Sequence, residues 1–461
     1  MDKKLIILGN GFDLSCGLAS KYKDFFNWRL QSLFGTTDFE KIREELETNE
    51  TNELDLTVSS TNLDLVNNIR YGKKLEPVWP PSYIENHHNN KEKKLNQFTI
   101  NKEVGWKKYE SLTRWDVFFI YAQKYLKPDI NEWQDVENII NNVVTIALTK
   151  RQNGIDRYLN NAQTNLHYIE DGKNKFEDII YKYSGRDNSD AEEIAYLLLF
   201  DLINFEKEFS RYIYQQLGLK NNNENKLLKL TYFNNAEQLL KKIIRVDKKQ
   251  KPVKVSVISF NYTLGPRFQA AINDNSKIDS VKINSWKNIH GLACFNDPKA
   301  QASIKTQGSI PAPIFGVDPE DALNCRSNAR VLFTKPYRLI INKIKNIQQM
   351  INLKDIQEII VYGHSLGDAD YSYFKYIFDQ ANIYDNSVNL IFYYWPGEII
   401  SGIRDRITEQ ELERKYTELV VKMLNKYGKT SKLAQEDIVT KLALEGRLSI
   451  LPNPNIDNFK N

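Results

Sequence analysis

Lys3-Lys4-Leu5-Ile6-Ile7-Leu8-Gly9-Asn10-Gly11-Phe12-Asp13 is the stretch on which the reading of the fold turns. A continuous aliphatic run stopped by glycine reads as a short strand buried on both faces. Glycines directly after a strand let backbone N–H groups approach a phosphate closely. A tight strand-to-helix turn explains the same glycines without a ligand. The stretch is not the GxGxxG dinucleotide fingerprint, because position 14 is Leu. A glycine-bearing loop is expected over residues 9–17, and a helix near Ser20, which can serve as its N-cap.

Strand character returns at residues 253–260 (VKVSVISF), again before His290, at 357–362 and at 388–394. A helical pattern over 370–381 follows the third of these. Strand, loop, helix, strand is the grammar of a parallel sheet with crossover helices. Between the first strand and the second, the period is helical. Trp115, Phe118, Phe119 and Ala122 recur at i, i+3, i+4, i+7, as do Val136, Ile139, Ile140 and Val143. Leu202, Phe205, Phe209 and Tyr212 repeat it; such stripes face a shared core. Residues 39–63 and 83–102 are polar with little periodicity and read as surface loops or an insertion. Helices are expected at about 404–425 and 434–444. The expected fold is therefore α/β: a discontinuous Rossmann-like parallel-sheet domain over 1–110 and 250–400, a helical insertion over 111–249, and C-terminal helices over 401–461.

Composition narrows the function classes. Lys and Arg total 63 against 59 Asp and Glu, a net charge of +4 over 461 residues, which is no electrostatic footprint for nucleic acid. The three cysteines, Cys16, Cys294 and Cys325, are odd in number and lack CxxC spacing. That excludes a disulfide framework and a four-cysteine zinc site, and suits a reducing cytosol. The N-terminal apolar run is too short for a signal core, and no run reaches the roughly 18 apolar residues of a membrane span. A cytoplasmic protein without bound metal is expected.

Four motifs sit at the carboxyl ends of expected strands, the edge where open parallel sheets bind ligands. The first is Gly9 to Asp13. The second is Ser259-Phe260-Asn261-Tyr262-Thr263, where Asn261 can hydrogen-bond ribose hydroxyls or merely cap a turn. The third is Asn288-Ile289-His290-Gly291; His290 is a candidate general base or a satisfied turn histidine. The fourth is Gly363-His364-Ser365-Leu366-Gly367-Asp368-Ala369-Asp370. It fits G-x-S-x-G, the nucleophile elbow of α/β-hydrolases. In that fold an acid and then a histidine follow the serine, and no histidine follows Ser365. The loop reads better as small residues and a hydroxyl beside a nucleotide. Asp13, Asp318 and Asp370 are candidates for ribose hydroxyls, with a loop hydrogen bond preferred for Asp318.

Taken together these motifs resemble the bacteriophage abortive-infection AbiH family. Ile7 to Leu14, Gly17-Leu18 and Tyr22-Lys23-Asp24-Phe25 resemble its opening. The Trp133–Glu137 segment, Ser259 to Thr263, His290-Gly291, Phe315-Gly316-Val317-Asp318 and Gly363 to Tyr371 follow in order. That family is similar to sirtuin-like defence NAD hydrolases. The resemblance implies Asn261 and His290 as catalytic residues. It implies Gly9, Asn10, Gly11, Phe12, Asp13, Tyr262, Gly363, His364, Ser365 and Asp370 as cofactor contacts, with NAD as substrate. The GxPDFR stretch and the zinc cysteines of protein-deacylating sirtuins are missing, which argues for simple hydrolysis. A phage-derived trigger or regulatory protein is an expected partner, because constitutive NAD loss kills the cell; self-association is a further expectation. Two other readings stay open: a non-catalytic sensor that binds NAD or ADP-ribose, and a hydrolase using Ser365.

Overall fold

A computed structural model of the chain describes residues 4–50, 112–126, 133–153, 172–184, 191–217, 223–245, 253–275, 281–293, 313–317, 328–341, 351–397, 406–431 and 437–454. Packing divides it into two compact units. The first comprises Met1–Lys21, Ser210–Pro313 and Ile340–Asn461; the second comprises Tyr22–Phe209 and Ile314–Leu339. The helical span expected at 111–249 is shared between them.

The first unit is built on a six-stranded, all-parallel sheet. Its strands are β1 (Lys4–Leu8), β2 (Val253–Ser259), β3 (Val281–Asn288), β4 (Glu358–Tyr362), β5 (Asn389–Tyr394) and β6 (Leu448–Pro452), in the order β3-β2-β1-β4-β5-β6. This is the order of doubly wound nucleotide-binding sheets, in which the strand order reverses between β1 and β4. In the central strand, Ile6 pairs with Val257 on one side and Ile360 on the other. Leu5, Ile6 and Ile7 are fully buried, as befits an uninterrupted aliphatic strand covered on both faces. Helices α1 (Asn10–Ser15), α2 (Asn223–Ile244), α3 (Pro266–Asn275), α4 (Tyr371–Ala381), α5 (Arg406–Thr430) and α6 (Ile438–Leu444) lie in this unit.

The second unit contains Tyr22–Phe34, Phe39–Glu50, Arg114–Tyr125, Trp133–Asn153, Gly172–Tyr183 and most of Ala191–Gln216, all helical. Its core is aromatic: Tyr22 packs against Phe25, Phe26, Phe119, Phe205, Phe209 and Phe315. Buried charges are paired within it. Arg29 makes a bidentate pair with Asp116 at 2.9 Å and reaches Glu208 at 3.1 Å. Arg338 grips Glu206, which also accepts the Phe315 N–H at 2.7 Å. Thus Phe315 to Val317 serves packing here; Asp318 lies outside the described residues. Among the described residues no helix is long and apolar enough to cross a membrane.

Four local expectations are corrected. Residues 10–15 form a short helix where a loop was expected. The next helix starts at Tyr22, and Ser20, expected as its cap, instead donates from Oγ to Asn10 Oδ1 at 2.6 Å. Residues 39–50 are helical because Ile42 and Leu46, spaced i, i+4, bury one face; residues 51–63 and 83–102 lie outside the described set. Finally, the C-terminal segment contributes a strand as well as helices. Arg447 donates to the carbonyls of Ile383, Asn386 and Val388 and so fastens β6 beside β5.

Candidate functional site

The loops after β1, β2, β3 and β4 converge at the carboxyl edge of the sheet, all within the first unit. The loops after β1 and β4 touch backbone to backbone. Gly9 N–H donates to Tyr362 O at 2.9 Å, and Gly11 N–H to Gly363 O at 2.8 Å. A Cβ on Gly9 would fall 2.5 Å from Gly363 O, and one on Gly363 would fall 2.5 Å from Phe12 N. Gly363 also has a φ of +65°, where side chains are strained. These glycines are therefore required by the contact of two turns. The Gly9, Gly11 and Phe12 N–H groups, expected to cradle a phosphate, are spent inside the protein, and Phe12 is buried edge-on against Tyr362.

Beneath that contact lies a buried polar network. Asn261 donates from Nδ2 to Gly9 O at 2.9 Å, tying the β2 loop to the β1 turn. Asp13, 1% exposed, accepts from Tyr232 Oη at 2.8 Å and from Thr263 Oγ1 at 2.8 Å, and its carboxyl is also hydrogen-bonded by Asn261. Burial raises its pKa from 3.8 to about 7, against the pull of those three donors.

The second cluster joins the loops after β3 and β4. Asp370 lies between two imidazoles: Oδ1 is 3.4 Å from His290 Nε2, and Oδ2 is 3.3 Å from His364 Nε2. His364 Nδ1 accepts the Leu366 N–H at 2.9 Å. Phe260, from the β2 loop, packs edge-on against both imidazoles, and Tyr373 packs against His290. Tyr262 lies beside His290, with ring centroids 6.4 Å apart. Ser365 is exposed. Among the described residues no group of three or more His, Cys, Asp or Glu has the geometry to hold a metal ion.

The model of the AbiH family, bacteriophage abortive infection, matches residues 5–394. The chain belongs to the AbiH family. Bacteriophage abortive infection is the role that membership supports. No curated protein and no solved structure matches the chain. The matched span includes β1 to β5 and every motif of the edge; α5, α6 and β6 follow it.

In this AbiH chain, the expected residues fall into two groups. Asn261, Tyr262, His290, Gly363, His364 and Asp370 are brought to one edge, with Asp13 beneath. Asn10 is engaged by Ser20, also through Nδ2 to Ser20 O at 3.2 Å. Sequence reading missed Tyr232 and Tyr373. Tyr232 sits on α2, far along the chain from Asp13, and nothing in its helical surroundings marks it. Tyr373 sits one helical turn past Asp370, where a core aromatic is the ordinary reading.

Proposed function

We propose that the chain acts in abortive infection by hydrolysing NAD at the nicotinamide–ribose bond. The observation that supports this most is Asp370 held between His290 and His364 at the sheet edge, with Asn261 on the neighbouring loop. The Leu366 N–H at Nδ1 assigns the neutral His364 proton to Nε2, which faces Asp370. His290 approaches the same carboxylate through Nε2 at 3.4 Å and, in this reading, serves as base toward a ribose hydroxyl or the attacking water. In this reading the C1′–N bond breaks and nicotinamide leaves with the electron pair. Water adds to C1′ and its proton passes to His290. The Asp370 anion stabilises the oxocarbenium-like charge. Asn261 contributes Oδ1 as an acceptor for a ribose hydroxyl, since Nδ2 is committed to Gly9 O and to Asp13. A phage-derived trigger or regulatory protein is the partner this activity calls for, because ungated NAD loss would kill the host.

Ser365 is assigned no step. His364, the imidazole next to it in sequence, has Nδ1 on Leu366 N–H and Nε2 at Asp370, so neither nitrogen is left to activate Oγ. The burial of Asn261 and His290, 4% and 5% exposed, favours one second reading: a sensor that binds NAD or ADP-ribose without turnover.

The test is incubation of the purified protein with NAD, following nicotinamide release and nucleotide binding together. Release that falls about 10²–10⁴-fold in His290→Ala and Asn261→Ala, yet is largely kept in Ser365→Ala, supports hydrolysis. Binding with no release, in the presence of phage-infected lysate as well, would establish the sensor in its place.

A further inference from the structure

We infer that α5, which lies beyond the family-matched residues, is a clamp on the β4 loop, and that Tyr416, Lys422 and Lys426 are positioning residues for His364 and Asp370. The inference rests on the proposed catalytic reading only for its activity arm.

The loop from Gly363 to Asp370 does not hold its shape by local preference. Leu366 has a φ of +57°, a left-handed conformation unfavourable for a side-chain-bearing residue, and Gly363 in the same loop is left-handed too. Such a conformation persists only where the surroundings impose it. Some restraints are local or come from the neighbouring turns: the β1 turn on Gly363, the Leu366 N–H on His364, the Asp370 N–H on Gly367 O and His290 beside Asp370. Further restraints come from one helix. Tyr416 donates from a buried hydroxyl to His364 O at 3.2 Å. Lys422 and Lys426 each approach Asp368 at 3.3 Å, one on each carboxylate oxygen. Lys426 also lies 4.2 Å from the centre of the Tyr371 ring, and the Tyr371 hydroxyl meets Thr430 Oγ1. The helix therefore ties the segment at His364, at Asp368 and at Tyr371, on both sides of Asp370.

Exposed lysine–carboxylate pairs ordinarily contribute little, and Lys422 and Asp368 are 69% and 47% exposed. Three features separate this group from a solvated ion pair. One carboxylate takes two ammoniums. Lys422, Lys426 and Thr430 follow at i, i+4, i+8 and so present one face to the loop. The Lys426 ammonium is shared between a carboxylate and an aromatic face. Asp368 registers the field: partial burial raises its pKa, but Lys426 and then Lys422 hold it below the usual carboxylate value. A shift of the loop by about 1 Å moves Asp370 out of register with His290, and misplacement of that size costs a catalytic site up to about 10²-fold.

The experiment uses the full chain with labelled histidine, assigning His364 and His290 resonances by single substitution. Lys422→Met with Lys426→Met, and separately Tyr416→Phe, are compared with wild type. The expected result is displaced imidazole nitrogen signals for His364, with the unfolding midpoint held. Lys422→Arg with Lys426→Arg restores the wild-type signals. Where nicotinamide is released, the lysine pair variant loses roughly 10- to 100-fold in kcat with little change in KM. Imidazole spectra that superimpose on wild type in both variants overturn the clamp. A wild-type protein without NAD turnover, with phage-infected lysate present as well, would refute the proposed function, while the imidazole spectra still decide the clamp.

Discussion

Two buried polar regions of this chain handle charge in opposite ways. In the helical unit, among the described residues, the buried carboxylates each have a guanidinium: Asp116 and Glu208 face Arg29, Glu206 faces Arg338 and Asp201 faces Arg114. At the carboxyl edge of the sheet, Asp13 is held by hydroxyls and an amide, and Asp370 by imidazoles. A guanidinium partner favours the charged carboxylate and serves architecture, although burial still pushes Glu206 above the usual carboxylate value against the pull of Arg338. Neutral or titratable partners leave the proton in play, and that is what acid–base work requires. The partners, guanidinium on one side and hydroxyl, amide or imidazole on the other, are what set the candidate site apart from the scaffold; Asp370 is also the more exposed, at 18% against 0% for Asp116.

The comparison breaks most readily at Arg29. Arg29→Ala strands two buried carboxylates and is expected to cost roughly 3–5 kcal/mol in urea-monitored unfolding; a loss below about 1 kcal/mol would mean the pairing is not structural. Next comes Asp13, whose pKa is raised from 3.8 to about 7. The folded protein keeps this proton to higher pH than the unfolded chain. Its contribution to stability is complete below about pH 4, is lost as pH rises toward 7, and then stays constant. The shift corresponds to roughly 4 kcal/mol over that window, each pH unit being about 1.4 kcal/mol. Asp13→Asn should flatten the decline, as chemical unfolding at several pH values will show; a decline of unchanged slope assigns it to other groups. Gly363→Ala is smaller in backbone terms, roughly 1–2 kcal/mol for the left-handed residue, with a further cost from its Cβ meeting Phe12 N. Ser365→Ala should be the mildest, within about 0.5 kcal/mol of wild type, because its side chain is exposed.

Much of the sheet was legible because its strands are aliphatic runs stopped by glycine or polar turns. β1, β2, β4 and β5 lie where the sequence puts them. β6 was not legible: a five-residue edge strand after a helix carries almost no periodic signal, and the Arg447 contacts that seat it are long-range. The site was legible as four loops but not as a set of partners. His364 and Asp370 stand six positions apart in one motif, yet that the Asp370 carboxylate is shared with His290 depends on the β3 and β4 loops meeting at one edge of the sheet. Tyr232 was out of reach because helical spacing treats it as one more core aromatic. The glycines were legible as a turn, but their use differs from the phosphate cradle expected. The β4 loop occupies the space, and that neighbour is set by strand order alone.

The central claim is that Asp370, shared by two imidazoles, organises hydrolysis of NAD. The most direct measurement is the rate of nicotinamide release by Asp370→Asn and wild type under saturating NAD, with and without phage-infected lysate. The account predicts release by wild type and a fall of about 10²-fold or more in the variant, with NAD binding kept. Equal rates in the two proteins would contradict it.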